Sequence, residues 1–388
     1  MNTHDKTYYS LTDILGIRDQ KVLTAFLDRM LEKYNTLDLS GFPMAPLQTS
    51  FTFEQVMKEL QMNIMSSYVA LQSDPIPIGT EGISVATGSI PRQKAMEVMD
   101  EIKMREIYML MNRTDVSAAR LEDAAGLQLY VTLDMLFGGH YNAMTYQRNQ
   151  IVSTGKFSLT DTNNPRGIKN FTYDAGVPTN NVTSLSSTKQ WWTDKGTYAT
   201  EGTACDPIGD LEAMVDAADN KGVTAKHFEI DKLYAKQVVK HSKVVEAIAA
   251  NIYPMGDETM AAAAAANLSF DRKMQVLGEI VGAPFVVRDH IATVQKWDNS
   301  TKALKNEQIR SFAPDVIALV PDGNIGQTLA VEPLKLPGGF YGERMNGALL
   351  LTIVYDYQKK IQTYNTELTA LVVPDKSPYM FYLYPSGK

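Results

Sequence analysis

Cysteine is almost missing from this chain: Cys205 is the only one. No disulfide can form within the chain and a cysteine-based zinc cage is excluded, which fits a reducing interior. Long apolar runs are missing too. None approaches the roughly 18–20 residues needed to cross a bilayer, and Met1 to Tyr9 is polar, without the basic-then-apolar order of a secretory leader. Neither export by that route nor a membrane partner is expected. Charge of one sign is not concentrated either. The formal net charge is -7, with basic and acidic residues interleaved as in Glu101, Lys103, Arg105 and Glu106, unlike the basic footprint of a protein that reads nucleic-acid sequence.

The usual marks of catalysis are missing as well. GxxxxGK[ST], GxGxxG after a strand, GxSxG and HExxH occur nowhere, so nucleotide, hydrolase and metalloprotease readings lose their support. The five histidines, His4, His140, His227, His241 and His290, show no close metal-ligand spacing. His241 falls on an apolar helical stripe, where a hydrogen-bonded structural role is preferred to ligation. Asp322, Gly323 and Asn324 could touch a cation but lack the EF-hand spacing and read as a turn. Trp191 and Trp192 have no basic or aromatic array beside them, so packing anchors are preferred to a base-stacking platform. Arg288, Asp289 and His290 end a strand and are the best candidates for an enzyme. No catalytic, cofactor or metal residue is assigned, and no cofactor is expected.

What is present is ordinary globular material: 388 residues, 44% hydrophobic and 21% charged, enough for one extended subunit or two to three subdomains. Leu23, Phe26, Leu27, Met30, Leu31 and Tyr34 recur at helical spacing and form a stripe that needs a partner, its own domain or a neighbour. Asp74 to Pro91 (DPIPIGTEGISVATGSIP) has the composition of a long extended hairpin. A helix is predicted over about Ala118 to Arg148, apolar at Leu129, Leu133, Leu136, Phe137, Tyr141 and Met144, with a kink or break at Gly138-Gly139. Thr154 to Val177 reads as a β-hairpin around Asn163-Asn164-Pro165-Arg166-Gly167. Asp206 and Pro207 start a helix that buries Ile208, Leu211, Val215 and Ala218 and stops at Lys221-Gly222. Asp231 to Ile252 reads as one further helix, and Ala261 to Ala266, the only low-complexity run, as helical. Pro284 to Asp289 and Val316 to Val320 read as buried strands separated by a polar loop. Strand-like runs at Gly347 to Tyr355 and Glu367 to Val373 close an α+β chain.

Four features, in order, resemble the lambda-type major capsid protein family of tailed bacteriophages, which has the Hong Kong phage capsid fold. They are Asp74-Pro-Ile-Pro-Ile-Gly-Thr-Glu-Gly82; Arg148 to Pro178, with Ile151-Val-Ser-Thr-Gly-Lys156 and Tyr173-Asp-Ala-Gly-Val-Pro178; Trp191 or Trp192 before Asp206-Pro-Ile-Gly-Asp-Leu211; and Leu277-Gly-Glu-Ile-Val281 leading to Val286-Val-Arg-Asp289 and Val316 to Gly323. The likeness spans about residues 65 to 375. The arm before residue 65 is longer than in that family, and Gly138-Gly139 departs from its long helix.

The resemblance implies an N-terminal arm (1–70), an extended loop (71–105), a peripheral domain with a spine helix (106–205 and 322–388) and an axial domain (206–321). It implies loop contacts to a neighbouring subunit through Asp74, Pro75, Ile76, Pro77, Ile78, Ile83 and Val85, and arm contacts through Leu23, Phe26, Leu27, Met30 and Leu31. The implied role is a virion head shell of hexamers and pentamers, assembled in the host cytoplasm around double-stranded DNA without reading its sequence. Portal, scaffold and decoration proteins are the implied partners. Two other readings compete: a tail-tube or other phage structural protein, and an α/β enzyme in which Asp289, Asp322 and His290 converge.

Overall fold

The computed structural model describes residues 20–57, 84–111, 118–252, 263–265, 267–335, 340–356, 358 and 361–387. Asp74, Pro75, Ile76, Pro77, Ile78 and Ile83 lie outside the described residues.

The chain opens with α1 (Gln20–Met30). Strand β1 (Thr52–Met57) then pairs antiparallel with β2 (Ser84–Ser89), setting Thr52 opposite Ser89, Val56 opposite Val85 and Met57 opposite Ser84. One side of the extended hairpin therefore lies upstream of the Asp74–Pro91 segment in which the sequence placed it. After β3 (Arg92–Met99) and α2 (Glu101–Met111) comes α3 (Ala118–Thr154), 37 residues long. Of the kink or break expected at Gly138-Gly139, the break is not there: the helix is continuous through both. A Cβ at Gly138 would lie 3.0 Å from the Tyr34 hydroxyl, whereas Gly139 faces open space. The first glycine thus makes room for a neighbour. The hairpin of β4 (Lys156–Ser158) and β5 (Thr172–Asp174) follows as expected, then β6 (Val182–Ser184).

Next come α4 (Pro207–Asn220), β7 (Lys226–Asp231), α5 (Lys232–Val238), α6 (Ser242–Ile252), α7 (Phe270–Val281) and β8 (Phe285–Arg288). The single helix expected over Asp231 to Ile252 is thus two, preceded by a strand residue. Glu201 causes the break by accepting the Ser242 backbone N–H at 2.8 Å, while His241 Nδ1 accepts that of Lys243 at 3.3 Å, so donors at the start of α6 are satisfied from outside a continuous helix. Of the short alanine run, 263–265 are helical. The expected polar loop after Asp289 is instead a regular hairpin, β9 (Ile291–Asp298) with β10 (Ala303–Arg310). The chain finishes with β11 (Ile317–Pro321), β12 (Gly326–Ala330), β13 (Phe340–Arg344), β14 (Leu349–Asp356), β15 (Ile361–Pro374) and β16 (Phe381–Tyr384).

Two five-stranded sheets organise the interior. In one the order is β12-β15-β14-β13, with β3 also paired to the long β15; in the other it is β6-β16-β11-β7-β8. The second is a wall between two cores, because side chains alternate across a strand. Ala318, Val320, Met380 and Tyr382 join the core beneath α3, with Leu129, Leu133 and Phe137. Ile317, Leu319, Phe381 and Leu383 join the core beneath α4, α6 and α7, with Leu211, Val244 and Leu277. As the edge strand of this sheet, β8 is only half-buried, not buried as expected.

The α1 stripe finds its partner inside the chain. Leu23, Leu27 and Leu31 are fully buried in the α3 core, beside β13, where a side chain at Gly342 would collide with Leu27. Phe26 is half-buried there and Met30 is 37% exposed. The expectation that this stripe meets a neighbour is corrected for the three leucines. Arg344 of β13, bonded to Asp28 at 3.0 Å, fixes α1 further.

Candidate functional site

Alternation along β7 sends Phe228 and Ile230 into the α4 core and Glu229 the other way, toward the end of α3. There Glu229, fully buried, accepts from Arg148 Nη1 and Nη2 at 2.5 Å each, and from Arg288 Nε and Nη2 at 2.9 and 2.6 Å. Arg148 Nε donates to the Ser40 carbonyl at 3.1 Å, so one side chain ties together the segment after α1, the long helix and the central sheet. Burial raises the Glu229 carboxyl, but the adjacent Arg148 guanidinium, with bonds from His227 and Arg288, wins and holds it well below the usual carboxylate range. His227 Nε2 lies 3.4 Å from Glu229 and Nδ1 lies 2.5 Å from Asp322. Burial lowers its imidazole, but these two carboxylates outweigh burial and raise it. A carboxylate gripped by two guanidiniums is a poor proton acceptor. The cluster is a clamp between elements.

A second cluster stands at the other end of β7. Arg310 donates to Asp231 at 2.8 Å and lies 3.5 Å from Asp289, which also pairs with Lys232. Asp289 and Asp322 therefore do not converge. The first follows Arg288, paired with Asp231; the second follows Pro321, paired with Lys226. Five residue steps along β7 separate those positions, about 16 Å at strand rise. His290 faces Asn142, at 3.4 Å. The arrangement that the enzyme reading required is not there.

The aromatic anchors are internal. Trp191 and Trp192 are buried; Trp191 Nε1 donates to Asp210 in the first turn of α4 at 2.8 Å, and Trp192 packs edge-on to Tyr198, Tyr234 and His241. Cys205 Sγ lies 3.5 Å from His241 Nε2, but burial pushes the thiol up and the imidazole down, so no thiolate is favoured. Among the described residues no group of three His, Cys, Asp or Glu side chains could hold a metal ion, and no helix is long and apolar enough to cross a membrane.

The apolar surface lies elsewhere. Leu127, Val131 and Met135, four residues apart on α3, are 60%, 52% and 58% exposed, a second stripe opposite the buried one. At the β9–β10 hairpin the cross-strand neighbours Trp297 and Leu304 are 54% and 47% exposed. Neither patch was assigned from the sequence, although the spacing of four was legible. Of the loop residues named from the sequence, only Val85 is among those described, in β2.

No protein-family model matches the sequence, and no curated protein matches it. Among solved structures, a protein assigned as the capsid protein of a prophage of E. coli CFT073 is similar at 16% identity and a TM-score of 0.53, over 94% of this chain and 98% of that one. The chain shares its fold, α+β and of the Hong Kong phage capsid type. A phage-related protein from Bordetella bronchiseptica RB50 (14% identity, TM-score 0.44, 97% and 96% covered) and the capsid of cyanophage A-1(L) (11%, 0.44, 88% and 89%) are also similar.

Proposed function

We propose that this chain is a major capsid protein, the subunit that builds the icosahedral head of a tailed bacteriophage, and that it is not an enzyme. The observation that carries the reading is end-to-end sharing of the fold with the prophage protein, 94% against 98% of the two chains. The β1–β2 hairpin and a spine helix apolar on two faces fit a subunit that completes itself on neighbours. The α3 core is then the peripheral domain, the α4 core the axial domain, and the β1–β2 hairpin the stem of the extended loop. In this reading subunits form hexamers and pentamers in the host cytoplasm, with portal and scaffold proteins and with or without a decoration protein. The finished shell is the virion capsid and encloses double-stranded DNA without reading it. The contact residues are Asp74, Pro75, Ile76, Pro77, Ile78, Ile83 and Val85 in the loop, with Phe26 and Met30 on α1.

Negative-stain electron microscopy of the purified chain, alone and with a scaffold, tests this. Rings or closed shells are expected. Tubes would favour a tail component, and a monodisperse small particle at high concentration would overturn the proposal.

A further inference from the structure

Charges that are interleaved through most of the chain segregate in two places on the α4 core. Helix α4 carries Asp210, Glu212, Asp216 and Asp219 and no basic residue, while 232–243 carries Lys232, Lys236, Lys240 and Lys243 and no acidic one. Like charges one helical turn apart destabilise their own helix, so each array needs an offset. Part of it is internal. Asp219 pairs with Lys226, Lys232 with Asp289, Asp210 accepts from Trp191, and Lys243 donates to the Cys205 carbonyl.

Two charges of each sign are left over. Glu212 and Asp216 are exposed on α4, Lys236 and Lys240 are exposed on and just after α5, and none makes an ion pair with the described residues. Each pair is spaced four residues apart, about 6 Å in a helix. The two pairs stand over different strands of the central sheet: α4 packs on β16, α5 on β7 and β8. β16 is two strand positions from β7 and three from β8, so the strands beneath the two helices are about 10–14 Å apart, and no ion pair joins Glu212 or Asp216 to Lys236 or Lys240 among the described residues. Two complementary patches on one domain that do not pair with each other suit a head-to-tail ring, where each copy offers one surface to the copy before it and the other to the copy after.

We propose that the occupant of each patch is a second copy of this chain, with Glu212 and Asp216 of α4 facing Lys236 and Lys240 of the adjacent subunit around the ring. The inference rests on the capsid reading and assigns its axial contact to named residues. The contact selects partner and register through charge and weakens as salt rises.

The test is a charge swap in the full chain, read as ring or shell yield by electron microscopy and light scattering, with thermal melts as the folding control. Replacing Lys236→Glu with Lys240→Glu, or Glu212→Lys with Asp216→Lys, should each lower yield on the order of tenfold or more at low salt. Melting temperatures should stay near that of the parent chain. All four substitutions together should restore assembly. Unchanged yield in both double variants would overturn the contact, as would failure of the fourfold variant to recover while still melting normally. Absence of assembly by the unaltered chain, with or without scaffold, would overturn the capsid reading and this contact with it.

Discussion

At the scale of single residues, the strongest commitments are buried charges. Glu229 is held by two arginines, of which Arg148 is itself buried, so removing the carboxylate strands a guanidinium without a counterion. Glu229→Gln should cost about 3–5 kcal/mol, the usual penalty for breaking a buried pair from one side, and a denaturant titration measures it. A loss under 1 kcal/mol would mean that water reaches the cluster. His140 gives a pH signature instead. It bonds Thr366 Oγ1 at 2.9 Å and Gln93 Oε1 at 3.2 Å, and burial lowers its pKa from 6.5 to about 4. A histidine whose folded pKa is depressed binds fewer protons folded than unfolded. Its stability contribution is therefore present above about 6.5 and is lost as pH falls toward 4, by about 3 kcal/mol. Stability curves of the parent and His140→Gln should converge between pH 6.5 and 4; parallel curves would refute the assignment. His227, raised by Glu229 and Asp322, has the opposite sign and contributes below 6.5.

Among elements, α4 shows what sequence can carry. Asp206 accepts from the Gly209 backbone at 3.3 Å, Pro207 occupies the first turn, and Leu211, Val215 and Ala218 are buried, with Ile208 only half so. All of this is local, set by residues within one or two turns of each other, and so it could be read in advance. Leu211→Ala should cost ~2–5 kcal/mol and Asp206→Ala ~0.5–2 kcal/mol; thermal melts in the reverse order would contradict this account. The failures are equally instructive. The α5–α6 break depends on Glu201, some forty residues upstream, and the role of Gly138 depends on Tyr34, a hundred residues away. Neither was visible in a local window. Likewise Arg148 was legible only as a helix end, since its partner Glu229 comes from another strand. The glycines yield a test with two signs. Gly139→Ala, with nothing near its Cβ, should stabilise α3 by about 0.5–1 kcal/mol. Gly138→Ala should lose that gain by pressing on the Tyr34 hydroxyl, which donates to Asp134 at 2.9 Å. If both variants melt above the parent, the close approach of Tyr34 is not what holds Gly138 in place.

For the whole molecule, the question is which parts belong to the subunit and which to its assembly. Among the described residues the two cores and the sheet between them are built from within the chain: α1 is seated on β13, Trp191 and Trp192 are internal, and the Glu229 and Asp231 clusters find their partners there. The β1–β2 hairpin is different, for its register brings Met57 opposite Ser84, so residues 58–83 begin and end at one point of the stem. Excising them and joining Met57 to Ser84 through Asn-Gly replaces the segment with a two-residue turn suited to such a stem. Since every described residue of the two cores is retained, the shortened chain should melt within a few degrees of the parent. It should nevertheless fail to form stable particles, because Asp74 to Ile78 and Ile83 are the loop residues proposed to reach a neighbour. Melting and particle yield measured together separate the two roles. A subunit that no longer folds would place 58–83 in a core, and one that still closes shells would remove the loop from the assembly contacts.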